Sequence, residues 1–118
     1  MLSFAGIEKV YLACGSTDLR RSIDGLAAIV SQVFKLDPFT PSLFVFCNRR
    51  RDKLKILYWD VAGFWLLYRR LEKGRFQWPS TSGKTPITIS RRQLLWLLDG
   101  LELEQKQAHT EVTARAVI

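Results

Sequence analysis

Leu43-Phe-Val-Phe-Cys-Asn-Arg-Arg-Arg-Asp-Lys-Leu-Lys-Ile-Leu-Tyr-Trp-Asp60 is the stretch that decides the fold. Residues 43–46 are apolar and rich in aromatic and β-branched side chains, which suit a pleated, half-buried surface. Six polar positions follow at 48–53, five of them charged and four of those cationic. Leu54, Ile56 and Tyr58 then alternate with Lys53, Lys55 and Leu57, the two-residue period of a strand with unlike faces. The stretch reads as strand, basic turn, strand, a hairpin that holds a cationic loop out from a rigid support.

Downstream, Asp60-Val-Ala-Gly63 is a second tight connection, and Phe64-Trp-Leu-Leu-Tyr-Arg-Arg-Leu71 is the next strand. If Asp60 opposes Gly63, Trp59 opposes Phe64, Leu57 opposes Leu66, Lys55 opposes Tyr68 and Lys53 opposes Arg70. The basic clusters at 49–55 and 69–75 then meet at one end of the sheet, whichever face each residue takes. Leu54, Ile56, Tyr58, Trp65 and Leu67 share one face; Leu57, Trp59, Phe64, Leu66 and Tyr68 share the other. One helix cannot cover both, so the second face calls for the C-terminal helix, a partner protein or a second copy of the chain.

Upstream, residues 7–13 form a first strand, broken by Cys14-Gly-Ser-Thr-Asp18. Ser16 or Thr17 can cap a helix and Asp18 suits its positive end. Leu19, Ile23, Leu26, Val30, Val33 and Phe34 make one apolar stripe on a helix of about 17 residues, which stops before Asp37-Pro38. Gly25 costs that helix roughly 1 kcal/mol relative to Ala and permits close approach to the sheet. Beyond the meander, Gly74-Arg-Phe-Gln-Trp-Pro79 leads into a polar loop at 80–85. Phe76 and Trp78 lie among cations there and suit base stacking, or, as such residues more commonly do, cover a core edge. Gly83-Lys84-Thr85 is no phosphate-binding loop, since Trp78 stands where the upstream glycine is required. Pro86–Ser90 is a short edge strand. Ser90-Arg-Arg-Gln93 is a capping box for a helix through Leu94, Leu95, Leu97 and Leu98 to a stop at Gly100.

The expected architecture is α+β: an antiparallel four- to five-stranded meander sheet, one long helix on a face and a shorter C-terminal helix. Residues 1–103 are one domain, and 104–118 are a frayed tail.

Of 118 residues, 47% are hydrophobic and 25% charged, the balance of a globular protein. No apolar run approaches a membrane span and the first residues lack a signal-peptide pattern, so the expected location is the cytoplasm. Cys14 and Cys47 lack metal-ligand spacing and His109 is the sole histidine, so the thiols read as buried small hydrophobes. The net charge of +7 is placed unevenly. Arg49, Arg50, Arg51, Lys53, Lys55, Arg69, Arg70, Lys73, Arg75, Lys84, Arg91 and Arg92 face only Asp52, Asp60 and Glu72 between residues 49 and 92. The remainder carries six cations and eight acids. Such asymmetry suits a partner of high negative charge density, a nucleic acid above all. Arg91 and Arg92 stand in the first turn of a helix, where the dipole disfavours them, a further hint of an anionic partner.

No catalytic set is apparent. A two-metal centre needs converging carboxylates, and the candidates Asp18, Asp24, Asp52, Asp60 and Glu72 do not converge. Asp18 and Asp24 fall on different sides of the helix. Asp52 and Asp60 lie at opposite ends of one strand, ~27 Å apart, and Glu72 sits among cations where an ion pair is its natural state.

Four segments carry a family resemblance: Gly15-Ser-Thr-Asp-Leu-Arg-Arg-Ser-Ile-Asp-Gly-Leu26, Phe44 to Asp60, Tyr68-Arg-Arg-Leu-Glu-Lys-Gly-Arg-Phe-Gln-Trp-Pro79 and Gln93-Leu-Leu-Trp-Leu-Leu-Asp-Gly100. Together the chain resembles the TnpB-type accessory protein of the insertion sequence 66 family of bacterial transposons over roughly residues 7–101. Cys47, Val61 and Ala62 look like departures from its pattern. The resemblance implies a role in transposition beside a separate, larger transposase that bears the catalytic carboxylates, and it implies no catalytic residue here.

The resulting expectation is a non-catalytic accessory protein for transposition, without metal or other cofactor. It binds DNA, duplex transposon ends in the first instance, through Arg49, Arg50, Arg51, Lys53, Lys55, Arg69, Arg70, Lys73, Arg75, Arg91 and Arg92. The alternative is an adaptor whose basic loop docks on an acidic transposase surface without touching DNA. A cryptic nuclease, the third reading, predicts metal-dependent cleavage abolished by Asp52→Ala or Asp60→Ala.

Overall fold

The computed structural model describes residues 6–79 and 85–105. Ser42–Cys47, the apolar arm of the opening hairpin, is buried at all six positions. A strand covered on both faces belongs at the centre of a sheet, and this one, β2, has β1 (Lys9–Leu12) on one side and β3 (Lys53–Trp59) on the other. β4 (Phe64–Arg70) and β5 (Ile87–Ile89) close the order β4-β3-β2-β1-β5.

β3 pairs with β4 in the expected register, from Trp59 beside Phe64 to Lys53 beside Arg70. The sheet is mixed rather than an antiparallel meander. β1 runs parallel to β2, with Tyr11 beside Phe44 and Leu12 beside Val45. The cause is the helical crossover between them: a helix laid across the sheet returns the chain to the end where it started, so the next strand repeats the direction of the last.

That crossover is shorter than expected. α1 spans Ile23–Ala28 and continues as a π-helical stretch, Ile29–Val33, so the 17-residue helix is corrected to 11, and the α-helical part is shorter than α2 (Arg91–Leu98). Neither Ser16 nor Thr17 caps it; Ser22 does, without a side-chain bond. The Leu19 and Arg21 carbonyls, which an earlier start would use in the helix ladder, instead accept from Lys55 Nζ at 2.7 and 3.1 Å. The Asp18 carboxylate holds the preceding turn by accepting from Arg20 N at 3.0 Å. A Cβ at Gly25 would stand 3.1 Å from Arg21 Cβ. The glycine therefore lets the helix tuck beneath the Arg21 segment, not against the sheet. At the other end, Phe34 N bonds the Ile29 carbonyl (3.0 Å), the wider i to i−5 step.

Two apolar layers sandwich the sheet. On one face Leu26 and Val30 pack on Phe44, Phe46 and Leu57, with Tyr11 stacked on Phe44 at 5.3 Å. On the other, Leu94 and Leu97 of α2 join Phe76 and Trp78 over Val45, Cys47, Leu54 and Ile56. The C-terminal helix thus covers the second face. Phe76 and Trp78 are core residues, 2% and 8% exposed, and the Trp78 indole donates to the Ala13 carbonyl at 2.9 Å. Base stacking by either is overturned: in the stretch Phe76-Gln77-Trp78 the alternate residues face the sheet and satisfy its second layer. The Ser90 capping box forms as expected, Gln93 N donating to Ser90 Oγ (3.0 Å) and Ser90 N to Gln93 Oε1 (2.9 Å). Gly100, at φ +79°, follows the end of α2. The 106–118 part of the expected tail and the 80–84 loop lie outside the described residues, while Leu103 packs on the α2-side core. Cys47 is buried and its thiol pushed up to about 12 by that burial; Cys14 is half-buried.

The β3–β4 turn carries a local conflict. Val61 adopts φ +79° and is 85% exposed. A two-residue hairpin with positive φ at its first central position favours glycine there, and a β-branched side chain in that region is strained. Val61→Gly is expected to stabilise the chain by about 1 kcal/mol and raise the midpoint of thermal unfolding by a few degrees. An unchanged or lowered midpoint in calorimetry would contradict this.

Candidate nucleic-acid interface

The basic loop is built by Asn48. Its Oδ1 accepts from Asp52 N (3.1 Å) and Lys53 N (3.0 Å), and its Nδ2 donates to Asp52 Oδ1 (2.7 Å). The hydrogen bond donated by Asn48 Nδ2 is the largest influence holding the Asp52 carboxyl below the usual carboxylate range. Arg51 takes the left-handed conformation, φ +66°, and its carbonyl accepts from Phe76 N at 2.7 Å. With Leu71 N bonded to the Asp52 carbonyl (2.8 Å), the segment after β4 straps the loop from behind. Arg49 and Arg50 stand exposed at the front.

Facing them is the turn after β1. Thr17 N donates to the Cys47 carbonyl at 2.8 Å, and Lys55 Nζ grips the Leu19 and Arg21 carbonyls. Between turn and loop lies an open cleft of about 910 Å³, lined by Ser16–Arg20, Asn48, Arg49, Arg50, Lys53, Lys55, Leu66 and Tyr68. Tyr68 is 55% exposed, and Lys55 Nζ lies 6.0 Å from its ring centre. Asp18 is the acid in the wall. It pairs with Arg20 at 2.8 Å, and the guanidinium bond holds its carboxyl down at about 2.

The cations singled out from sequence separate into groups. Arg49, Arg50, Lys53 and Lys55 line the cleft, although the Lys55 ammonium is committed to carbonyls. Arg70 lies beside Lys53 but pairs with Glu72 at 2.7 Å. Arg69 lies beside Leu54, on the α2 face. Lys73 and Arg75 are exposed on the strap at the same end. Arg51 does not line the cleft; it is half-buried, and its Nη1 is buried without a hydrogen-bond partner among the described residues. Arg91 and Arg92 follow Ile89, whose partner Val10 lies beside Leu43. They stand at the other end of the sheet, roughly 17 Å away along the strands. Sequence reasoning passed over Ser16, Thr17, Arg20, Asn48 and Tyr68 as site residues. The signal was a polar turn between strand and helix, the end of a parallel strand at which α/β sheets bind ligands.

Asp52 and Asp60 sit at opposite ends of β3. Asp60 caps its own turn, accepting from Ala62 N (3.1 Å), Gly63 N (3.0 Å) and Trp65 Nε1 (2.5 Å). Among the described residues no three His, Cys, Asp or Glu side chains come together as a metal site would require.

A family model described as IS66 Orf2 like protein matches residues 8–108, the whole cleft included. The chain belongs to that family. The resemblance carried by the Gly15–Leu26, Phe44–Asp60, Tyr68–Pro79 and Gln93–Gly100 segments is therefore shown, and with it an accessory role in transposition of an insertion sequence. The chain is 41% identical over 99 residues to the uncharacterized protein y4hO of Sinorhizobium fredii (strain NBRC 101917 / NGR234), covering 84% of this chain and 85% of the relative. It is 37% identical over 94 residues to the uncharacterized protein y4jC of the same organism, covering 80% of each. No solved structure matches the chain. No helix among its described residues is long and apolar enough to cross a membrane.

Proposed function

We propose that this IS66 Orf2-like protein is a non-catalytic, cytoplasmic accessory factor that holds DNA by its phosphates in the cleft and acts with a separate transposase on the element's ends. The observation that supports this is the meeting of two distant stretches, 16–20 and 48–55, around Arg49, Arg50 and Lys53. Each offers a cation to the cleft, while the Asp18 charge opposite is matched by Arg20. Guanidinium and ammonium groups on a fixed loop contact phosphates without reading bases, so they raise affinity and set register. Lys73 and Arg75, exposed on the strap, extend the patch for a longer backbone path.

The test is binding of labelled duplex and single-stranded DNA across salt, with and without the transposase. Three phosphate contacts predict a slope of log affinity against log salt of about −3 for duplex. Flat salt dependence, or no binding, would reject the cleft as a DNA site. Asp18→Asn supplies a gain-of-function check. It removes the acid from the wall and releases Arg20, so duplex affinity is expected to rise severalfold and the slope to steepen by up to about one. Unchanged binding in a salt series would show that Arg20 cannot reach the DNA.

A second reading, an adaptor docked on the transposase, is favoured by one feature. At the opposite end of the sheet Phe39, 57% exposed, packs edge-on against Trp59 at 5.0 Å, an apolar tip beside exposed Val61 and Trp65. Capture of the transposase without nucleic acid, together with no DNA retardation, would select it.

A further inference from the structure

We infer that β4 is a self-complementary edge through which two copies of this chain pair into a continuous ten-stranded sheet. α1 and α2 occupy the two sheet faces. The edges differ. β5 is three residues long and follows Pro86, a blunted edge, whereas β4 is seven residues without proline.

The ladder fixes which groups β4 offers. Asp60 N donates to the Gly63 carbonyl at one end, and Leu71 N to the Asp52 carbonyl at the other. In antiparallel pairing bonded and non-bonded pairs alternate, so Trp65, Leu67 and Arg69 bond inward to β3. The N–H and C=O groups of Phe64, Leu66, Tyr68 and Arg70 point out of the sheet. A two-fold axis at Leu67 sets Phe64 opposite Arg70 of a second copy, and Leu66 opposite Tyr68. All four outward-pointing residues are thereby hydrogen-bonded. Trp65 then meets Arg69, and Leu67 meets itself, in the closer non-bonded pairs.

The side chains suit this register. Trp65 is 45% exposed and held by Asp60. The Arg69 side chain makes no hydrogen bond or ion pair among the described residues. Each arginine meets an aromatic ring and none meets its own kind, an arrangement that supports cation–π attraction across the seam. Centring the axis on Leu66 or Tyr68 instead sets Trp65 or Arg69 against Leu67 and loses that match. The axis is perpendicular to the sheet, so both clefts open on one side, and Leu66 of each copy abuts Tyr68 in the other's cleft. This inference holds whether or not the cleft binds DNA.

Sedimentation of the full chain over a wide concentration range tests it. The wild type is expected to show a monomer–dimer equilibrium. Trp65→Arg sets like charges opposite Arg69 and should weaken dimerisation at least tenfold, and adding Arg69→Glu should restore it. Within one chain these positions are about 13 Å apart along the strand, so the rescue cannot be internal. Because Trp65 also braces the Asp60 turn, Leu67→Cys gives an independent reading. Its Cα atoms would lie close enough for a disulfide across the axis, whereas Trp65→Cys should not link. A wild type that stays monomeric to concentrations on the order of 1 mM, a double variant that fails to re-associate, or equal linkage at both cysteine positions would overturn the proposal. The first of these would leave the edge to a strand of another protein.

Discussion

Replacing Arg49 and Arg50 together by glutamate is expected to lower duplex affinity on the order of 100-fold at 0.1 M salt, with little change in folding stability. The size follows from counterion release. Each phosphate contact contributes a factor of about 8 between 0.1 and 1 M salt, two contribute about 60, and the reversed charges add repulsion. The slope of log affinity against log salt should flatten by about 1.8. Folding is spared because the loop is not held by these side chains. Asn48 bonds the Asp52 and Lys53 amides, and Phe76 N bonds the Arg51 carbonyl. Both arginines are exposed. The matching control is Arg91→Glu with Arg92→Glu, which changes the net charge equally at the other end of the sheet. If the cleft is the site, that pair should leave the slope nearly unchanged. Equal losses from the two pairs would mean that overall charge, and not the cleft, attracts the DNA.

The contrast between those pairs marks what could be read from sequence. The Lys53–Arg70 juxtaposition was legible because one short turn sets it: with Asp60 opposite Gly63, every later β3–β4 pair follows. The capping box at Ser90 was legible because both partners lie within four residues. What depends on distant pairing was not. Residues 7–13 read as a strand from sequence, but which neighbour it takes does not, and the parallel partner, β2, is reached only through the crossover. The parallel pairing brings Ser16–Arg20 against the basic loop. Direction of side chains at a turn was equally hidden. Arg49, Arg50 and Arg51 are alike in charge, yet the left-handed backbone at Arg51 separates it from the cleft. Phe76 and Trp78 suited nucleic-acid stacking by composition, but a sheet with two apolar faces needed both as cover.

Lys55→Met is expected to destabilise the fold by about 2–4 kcal/mol and to loosen the turn at residues 17–22. Lys55 alternates with core positions on β3, and methionine can replace its stem without leaving a void. What methionine cannot replace is the ammonium, which bonds the Leu19 carbonyl at 2.7 Å and the Arg21 carbonyl at 3.1 Å. Charge-assisted bonds of this kind contribute about 1.5–3 kcal/mol each, and partners left unsatisfied add to the loss. The loss should appear as a lower urea midpoint at unchanged m-value, with faster amide exchange confined to the segment before α1. The same variant separates structural from ligand-directed charge. If Lys55 is committed to carbonyls, duplex affinity should fall only as far as the wall formed by Ser16–Arg20 loosens, and the salt slope should hardly move. If instead the slope drops by about 0.9 while stability and exchange stay as in the wild type, Lys55 serves the phosphates directly and some other contact positions the turn. The delayed start of α1 would then need another cause, because the carbonyls that Lys55 diverts are what keeps residues 19–22 out of the helix.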